Sequence, residues 1–273
     1  MTGKYLERLI KNVFSALGYS ITRDRDDFAR LDNFINLSKA YEQLLGELRG
    51  DKLIRQDEIR PKLLGRLLGT PPSEAYFIVE ALAKTIHIGG DVCEFGVAQG
   101  GTTALIANEV RDFDVTLHLF DSFEGLPQPS EKDRLKDDIF SLGSIEAYFS
   151  TMASPENVVI SRLKAITFPS DRYIIHKGFI DQVMDRDENL PVKVSFAYVD
   201  FDLYEPIKTA LNYLHTVTVK GSIIIVDDYD YFSTGCKLCV DEFVADKNSI
   251  NKVYDVVIPD ESFGHFAILT RQS

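Results

Sequence analysis

Apolar side chains recur at helical spacing in the first third of the chain. Residues 4–17 and about 27–48 carry them three or four positions apart, which predicts two amphipathic helices. A third predicted helix follows a Pro-Pro sequence and runs from Ser73, a candidate N-cap, to about Ile86. Because a helix with one apolar face must pack on something, we expect residues 1–88 to form a helical segment that covers an active site or joins subunits.

The pattern changes at residue 89, from where short β-rich runs alternate with helical ones. This alternation is typical of an open α/β sheet with mostly parallel strands, and it assigns residues 89–273 to one domain. Only six residues separate the last two runs, so those strands are expected to form an antiparallel hairpin. The predicted strands are residues 92–95, 115–120, 172–178, 194–200, 222–227, 252–258 and 265–270, and the predicted helices are about 101–110, 144–152, 155–165, 203–215 and 236–247.

One long irregular stretch, residues 122–143, interrupts the alternation. It is rich in charge and proline and has neither a helical nor a strand period. Loops of this length inside a folded domain are usually functional or mobile. We therefore interpret it as a lid or substrate loop.

Charge is distributed unevenly along the 273 residues. The formal net charge of −12 divides into +2 over residues 1–90 and −14 over residues 91–273. An acidic body repels phosphate, so we do not expect a nucleic acid as partner. A metal ion or a cationic cofactor would be attracted.

The sequence also lacks the features of membrane insertion and export. It has no run of 18 apolar residues, and its N-terminus has no uninterrupted apolar region of a signal peptide. Cys93, Cys236 and Cys239 cannot close into a full set of disulfides, which fits a cytoplasmic protein. We interpret Cys236 and Cys239 as neighbours on one helix face.

A strand, a glycine turn and a helix start follow one another from Glu94 through Gly96 to Gly100 and Gly101. Such a turn lets a ligand approach the backbone at the positive end of a helix. Asp121 stands 20 residues after Gly101, at the end of the next predicted strand, where an acid can accept the hydroxyls of an adenosine ribose. The spacing predicts a nucleoside cofactor; the alternative is close helix packing at the glycines, with Asp121 capping the next turn.

Four aspartates follow two later strands. Asp200 ends one predicted strand, and Asp227 and Asp228 end the next. Since the carboxyl ends of parallel strands line the ligand crevice, adjacent strands would bring these carboxylates together, and their repulsion would require a cation. Oxygen ligands alone favour Mg²⁺, Mn²⁺ or Ca²⁺. Asp202 is a candidate general base or, alternatively, the N-cap of the following helix.

From about Gly90 to the C-terminus the sequence resembles the macrocin O-methyltransferase family. These are class I, S-adenosylmethionine-dependent enzymes that methylate sugar hydroxyls of macrolides and related glycosides. Phe201, Pro206 and the Ala98-Gln99 pair depart from the family pattern; they leave the cofactor and metal residues intact and bear on the acceptor. The motifs that carry the resemblance are the Glu94–Gly101 segment, Asp121-Ser-Phe-Glu-Gly-Leu-Pro127, Lys177-Gly178-Phe179, Asp200-Phe-Asp-Leu-Tyr204-Glu, Asp227-Asp228-Tyr229 and the segment from Gly235 to Phe243.

The resemblance implies roles for individual residues. S-adenosylmethionine and Mg²⁺ would be the cofactors, Asp202 the general base, and the protein a homo-oligomer, a dimer or larger. The implied cofactor residues are Glu94, Gly96, Gly100 and Gly101 for the methionine part, Asp121 and Ser122 for the ribose, and Gly178 and Phe179 near the adenine; the implied Mg²⁺ ligands are Asp200, Asp227 and Asp228.

The expected fold is thus a Rossmann-like class I methyltransferase with a seven-stranded, mostly parallel sheet and a C-terminal antiparallel hairpin. The expected activity is Mg²⁺-dependent O-methylation of a sugar hydroxyl on a glycoside natural product or a glycan. Tyr229 and Tyr231 are candidates for the wall of the acceptor pocket. Three alternatives stay open: methylation of a catechol-like phenol, a nucleotide-dependent oxidoreductase, and a non-catalytic cofactor-binding protein.

Overall fold

The alternating runs fold into one seven-stranded sheet in the computed structural model, which describes residues 57–273. The order of strands across the sheet is β3-β2-β1-β4-β5-β7-β6. The predicted helices at 4–17 and 27–48 lie outside the described residues. The strands are β1 Asp91–Phe95, β2 Leu117–Asp121, β3 Tyr173–Lys177, β4 Val194–Val199, β5 Thr218–Val226, β6 Tyr254–Val257 and β7 Ala267–Arg271.

Six of the seven strands run in one direction, and β7 runs in the opposite one. β1 to β5 pair in parallel, whereas β7 lies antiparallel between β5 and β6. The predicted mostly parallel sheet and its C-terminal hairpin are confirmed. The helices are α1 Arg60–Leu64, α2 Pro72–Thr85, α3 Gly101–Val110, α4 Glu156–Ala165, α5 Ile180–Arg186, α6 Tyr204–Val217 and α7 Thr234–Lys247.

Side chains of the central strands are buried on both faces of the sheet. In β4, Phe196 and Tyr198 belong to the core beneath α2 and α3, while Ala197 and Val199 belong to the core beneath α6 and α7. This is the period-two alternation of a strand covered on both sides, which is why the strands are almost continuously apolar. Helix α2, which falls within the predicted segment 1–88, packs on β4 and β5.

Three local predictions were wrong. Only one 3-10 turn, Ile145–Tyr148, forms in the predicted helix 144–152, because Ser150 and Met152 adopt positive φ angles of 60° and 62°. Helix α5 was not predicted, since its seven residues are too few to show a helical period. β5 begins four residues before its predicted start because the register shifts between Val194 and Phe196 on its neighbour.

The three thiols are free and buried, with Cys236 and Cys239 on the inner face of α7 as predicted. In the described part of the chain, no helix combines the length and the apolar character that a bilayer crossing requires.

Candidate active site

A cavity of about 1190 Å³ opens at the carboxyl ends of β1, β2, β4 and β5. It brings most of the predicted cofactor and metal residues into one space, because parallel strands all end at the same edge of the sheet. Glu94, Gly100 and Gly101 are the predicted site residues that do not line it. Those that line it are Gly96, Asp121, Ser122, Gly178, Phe179, Asp200, Asp202, Asp227 and Asp228.

The glycine turn after β1 lies directly against the end of β4. Gly96 has a φ of +86°, and a Cβ atom built there would lie 1.8 Å from the carbonyl oxygen of Asp200. Gly100 adopts the left-handed conformation immediately before α3 begins. The turn thus requires glycine for two reasons, a positive φ and the close approach of another backbone.

Asp121 fixes the conformation of this turn. Its Oδ2 accepts hydrogen bonds from the backbone N–H groups of Val97 and Ala98, at 2.7 and 2.8 Å, and its Oδ1 accepts from Phe123 at 2.6 Å. A carboxylate offers about four acceptor positions, so roughly one remains for a ligand in the cavity. Sequence spacing located Asp121 beside the turn and missed its backbone partners.

Glu94 is completely buried on β1, one layer below the cavity. Among the described residues, its carboxylate oxygens make no hydrogen bond of good geometry, and the Thr103 hydroxyl is the polar side chain that interacts with them. Burial raises its pKa from the ordinary 4.5 to about 8, because an ionised carboxylate loses its hydration there.

Three aspartates meet at the carboxyl ends of β4 and β5. One carboxylate oxygen each from Asp200, Asp202 and Asp228 lies within 4.8 Å of those of the other two. The N–H of Asp200 donates to Phe95 at 2.7 Å, which extends the β1–β4 pairing into the site. Asp202 and Asp228 have φ angles of +61° and +56°, a conformation that aspartate tolerates better than most residues.

Asp227 was predicted to belong with this group, but its carboxylate lies toward a second set of polar groups. The Tyr198 hydroxyl donates to Asp227 Oδ2, and it also lies 3.2 Å from Glu74 Oε1 and 3.3 Å from Thr70 Oγ1. Glu74 comes from α2 and is fully buried. No local sequence pattern indicates this role for Glu74, because Tyr198 lies 124 positions away along the chain.

The cavity is strongly acidic. Nine carboxylate residues line it, and among the lining residues within 57–273 there is neither a lysine nor an arginine. Burial, and then the neighbouring charges, raise the pKa of Asp200 and Asp202 well above the ordinary 3.8, and burial raises that of Asp228 to about 7. An oxygen-only cluster without an internal cation fits a hard divalent ion, which would offset this repulsion.

Aromatic and apolar side chains form the outer part of the cavity. Tyr231 stacks on His265 with ring centroids 4.7 Å apart, and both line the cavity together with Ile139 and Phe140 of the long loop. Tyr229 does not line it; its hydroxyl donates to Asp241 at 2.8 Å.

The strand order, the glycine turn after β1 and the acid that ends β2 define the class of protein, a class I methyltransferase. The sequence model of the macrocin-O-methyltransferase (TylF) family matches residues 77–258. The chain belongs to this family, and it is an S-adenosylmethionine-dependent O-methyltransferase. The predicted enzyme class is confirmed over the oxidoreductase and non-catalytic alternatives.

Solved structures share this fold. The O-methyltransferase NovP is 22% identical with a TM-score of 0.63, and the similarity covers 90% of this chain and 100% of NovP. CalS11, a calicheamicin methyltransferase, is 18% identical with a TM-score of 0.59, over 92% of this chain and 94% of that protein. The apo structure of CalS11 gives 17% identity, a TM-score of 0.51 and coverage of 92% and 96%. No match was found among curated proteins.

A Gly96→Ala substitution tests the contact between the glycine turn and β4. Gly143 is a matched control, because its φ of +88° is the same but a Cβ there meets nothing within 4 Å. We expect Gly143→Ala to cost about 1 kcal/mol of unfolding free energy and Gly96→Ala about 1–3 kcal/mol more, with loss of S-adenosylhomocysteine binding only in the latter. Denaturant titration and calorimetry measure both, and equal effects of the two substitutions would contradict the contact.

Burial of Glu94 predicts a pH-dependent stability. A pKa raised from 4.5 to about 8 on folding gives stability that is complete below pH 4.5 and is lost as the pH rises toward 8. Glu94→Gln cannot ionise, so the variant should gain on the wild type by about 1.4 kcal/mol per pH unit across this range. Urea titrations at pH 5, 6.5 and 8 compare them, with the exposed Glu131→Gln as control. Parallel pH curves for wild type and Glu94→Gln would show that Glu94 is not buried in this way.

Proposed function

We propose that this enzyme methylates a sugar hydroxyl of a small-molecule glycoside or glycan, with Mg²⁺ bound at the acidic cluster. The observation that carries the proposal is that three carboxylates gather in the same cavity as the glycine turn. Membership of the macrocin-O-methyltransferase family supports a sugar acceptor. CalS11, which is similar to this chain in fold, is described as a TDP-rhamnose 3′-O-methyltransferase.

The cofactor would occupy the side of the cavity formed by β1, β2 and β3. We propose that the Gly96–Gly101 turn receives the methionine part of S-adenosylmethionine, Asp121 and Ser122 the ribose, and Gly178 with Phe179 the adenine. Glu94 does not reach the cavity, so it would support the cofactor site from its buried position on β1 and not by direct contact. The acidic lining favours a sulfonium cation in this position.

For the metal ion we propose Asp200, Asp227 and Asp228 as ligands, with Asp202 as general base. When bound, Mg²⁺ would supply Lewis-acid chemistry that makes an acceptor hydroxyl more acidic. A carboxylate oxygen of Asp202 would then accept the hydroxyl proton, and the residues around it would orient the acceptor oxygen toward the methyl group. A specific observation favours a second assignment, in which Asp202 replaces Asp227 as the third ligand. The carboxylate of Asp202 lies in the cluster, whereas that of Asp227 lies against Tyr198.

Catechol-like phenols are the second candidate acceptors. Two adjacent phenol oxygens would approach the acidic cluster as two adjacent sugar hydroxyls would, and the aromatic pair of Tyr231 and His265 offers a stacking surface to either. Turnover measured on a panel of glycosides and catechols separates the two classes. Methylation of catechols alone would overturn the sugar proposal.

Calorimetric titration tests the cofactor and metal sites separately. The wild-type protein should bind S-adenosylhomocysteine and, independently, Mg²⁺. Asp200→Asn should lower Mg²⁺ affinity at least tenfold and leave the affinity for S-adenosylhomocysteine within about twofold. Absence of S-adenosylhomocysteine binding to the wild type would contradict the cofactor site, whereas cofactor binding without Mg²⁺ binding would contradict only the metal site.

Asn substitutions at Asp202 and Asp227 decide which residue is ligand and which is base. If Asp202 is the base, Asp202→Asn keeps the Mg²⁺ affinity and lowers kcat by about 100-fold or more, while Asp227→Asn loses Mg²⁺. The opposite pattern of Mg²⁺ affinities assigns Asp202 as the ligand. Metal titration followed by turnover with the accepted substrate class provides both measurements.

A further inference from the structure

Asp133 is a buried carboxylate in the middle of the 122–143 loop. It is 4% exposed, and both of its oxygens accept hydrogen bonds. Oδ1 accepts from the backbone N–H of Tyr204 at 2.8 Å, and Oδ2 accepts from the N–H and the hydroxyl of Ser130 at 2.8 and 2.7 Å. A buried carboxylate that accepts hydrogen bonds at both oxygens ties this part of the predicted lid to its neighbours.

Asp133 supplies the helix cap that α6 lacks in its own sequence. Leu203 precedes the helix and has no capping side chain, so the N–H of Tyr204 would otherwise be an unpaired donor at the positive helix end. The carboxylate reaches it from 71 residues away in the sequence. A negative charge at a helix N-terminus is favourable both as an acceptor and through the helix dipole.

Asp202 lies two residues before Tyr204, the first residue of α6. The N–H of Leu203 donates to the carbonyl of Phe201 at 2.5 Å, which closes a tight turn with Asp202 at its centre and a φ of +61°. Such a turn persists only when its surroundings hold it. The Tyr204–Asp133 bond holds the side that leads into α6.

Helix α7 holds the same turn from the other side. The Ser233 hydroxyl donates to the carbonyl of Asp202 at 2.7 Å. Arg134 and Thr234 are joined by two hydrogen bonds. The N–H of Thr234 donates to the carbonyl of Arg134 at 3.0 Å, and the N–H of Arg134 donates to the Thr234 hydroxyl at 3.0 Å. A Cβ on Gly235 would lie 1.8 Å from Asp133 Oδ1, so the start of α7 is in close contact with the carboxylate.

We propose that Asp133 is a positioning residue that holds Asp202 in place within the acidic cluster. This inference rests on the second assignment of the proposed metal site, in which Asp202 is a ligand of the ion. It acts through the backbone of Tyr204 and not by touching the ion or the substrate. The residue type matters because Tyr204 donates to one carboxylate oxygen and Ser130 donates to the other. An asparagine has a single side-chain oxygen and could accept from only one of these two residues.

The test compares Asp133→Asn with Glu131→Gln in the full chain. Glu131 is exposed, lies two residues away in the same loop and loses the same unit of charge, so it controls for long-range electrostatics. Ser130→Ala removes one partner of Asp133 without changing any charge and serves as a milder second variant. The measured quantities are the dissociation constants of Mg²⁺ and of S-adenosylhomocysteine by calorimetry, with thermal unfolding as the record of folding.

Loss of a charge-assisted hydrogen bond corresponds to about a tenfold effect. Asp133→Asn should weaken Mg²⁺ binding by about tenfold, and Ser130→Ala by less. Glu131→Gln should change it by under twofold, and S-adenosylhomocysteine should bind all three variants as it binds the wild type. A purely structural role would lower both affinities together.

Four results would overturn the inference. Equal Mg²⁺ affinity in Asp133→Asn and Glu131→Gln refutes the positioning role and leaves the metal site intact. A parallel loss of Mg²⁺ and S-adenosylhomocysteine binding in both Asp133→Asn and Ser130→Ala shows that Asp133 only supports folding. If the wild type binds no Mg²⁺, the metal site itself is wrong and this inference falls with it, an outcome that the wild-type titration separates from the others. If Asp202→Asn keeps the Mg²⁺ affinity of the wild type, Asp202 is not a ligand, and the inference falls while the metal site stands.

Discussion

Repulsion among half-buried carboxylates is the constraint around which the carboxyl edge of the sheet is built. Asp200, Asp202 and Asp228 gather within 4.8 Å, and burial raises the pKa of each. The described residues provide no lysine or arginine in the cavity to offset this charge. The backbone holds the acids instead, through strand pairing at Asp200 and left-handed turns at Asp202 and Asp228. The strain of these turns is therefore a consequence of keeping the acids together.

The cofactor side and the acidic side of the cavity share one structural joint. Gly96 and the Asp200 carbonyl are in contact because β1 and β4 are neighbours in the sheet, and both chains turn away at the same level. Asp121 fixes the first turn by accepting backbone N–H groups, and Asp133 fixes the end of the second in the same way. The half-buried Asp121 and the buried Asp133 thus fix the backbone of the two turns that line the cavity.

Sequence patterns predicted the parts of this site that depend on local order. Strands end where their apolar runs end, so Asp121, Asp200 and Asp228 were correctly expected at strand ends. The roles of Glu74 and Asp133 were not predictable, because each has an ordinary local position and acquires its partners only through tertiary contacts. The direction of the Asp227 side chain also escaped prediction, since it depends on Tyr198 within the same core.

The long loop combines two segments with different attachments. Residues 130–136 bond to α6 and α7, next to the turn that carries Asp202. The following tip bonds mainly within its own neighbourhood, with Asp138 accepting from Leu142, Gly143 and the Tyr148 hydroxyl at 2.7–2.8 Å. Exposed Ile139 and Phe140 of this tip line the cavity. The apolar side chains that the loop presents to the cavity and the bonds that support the Asp202 turn therefore come from different segments of the loop.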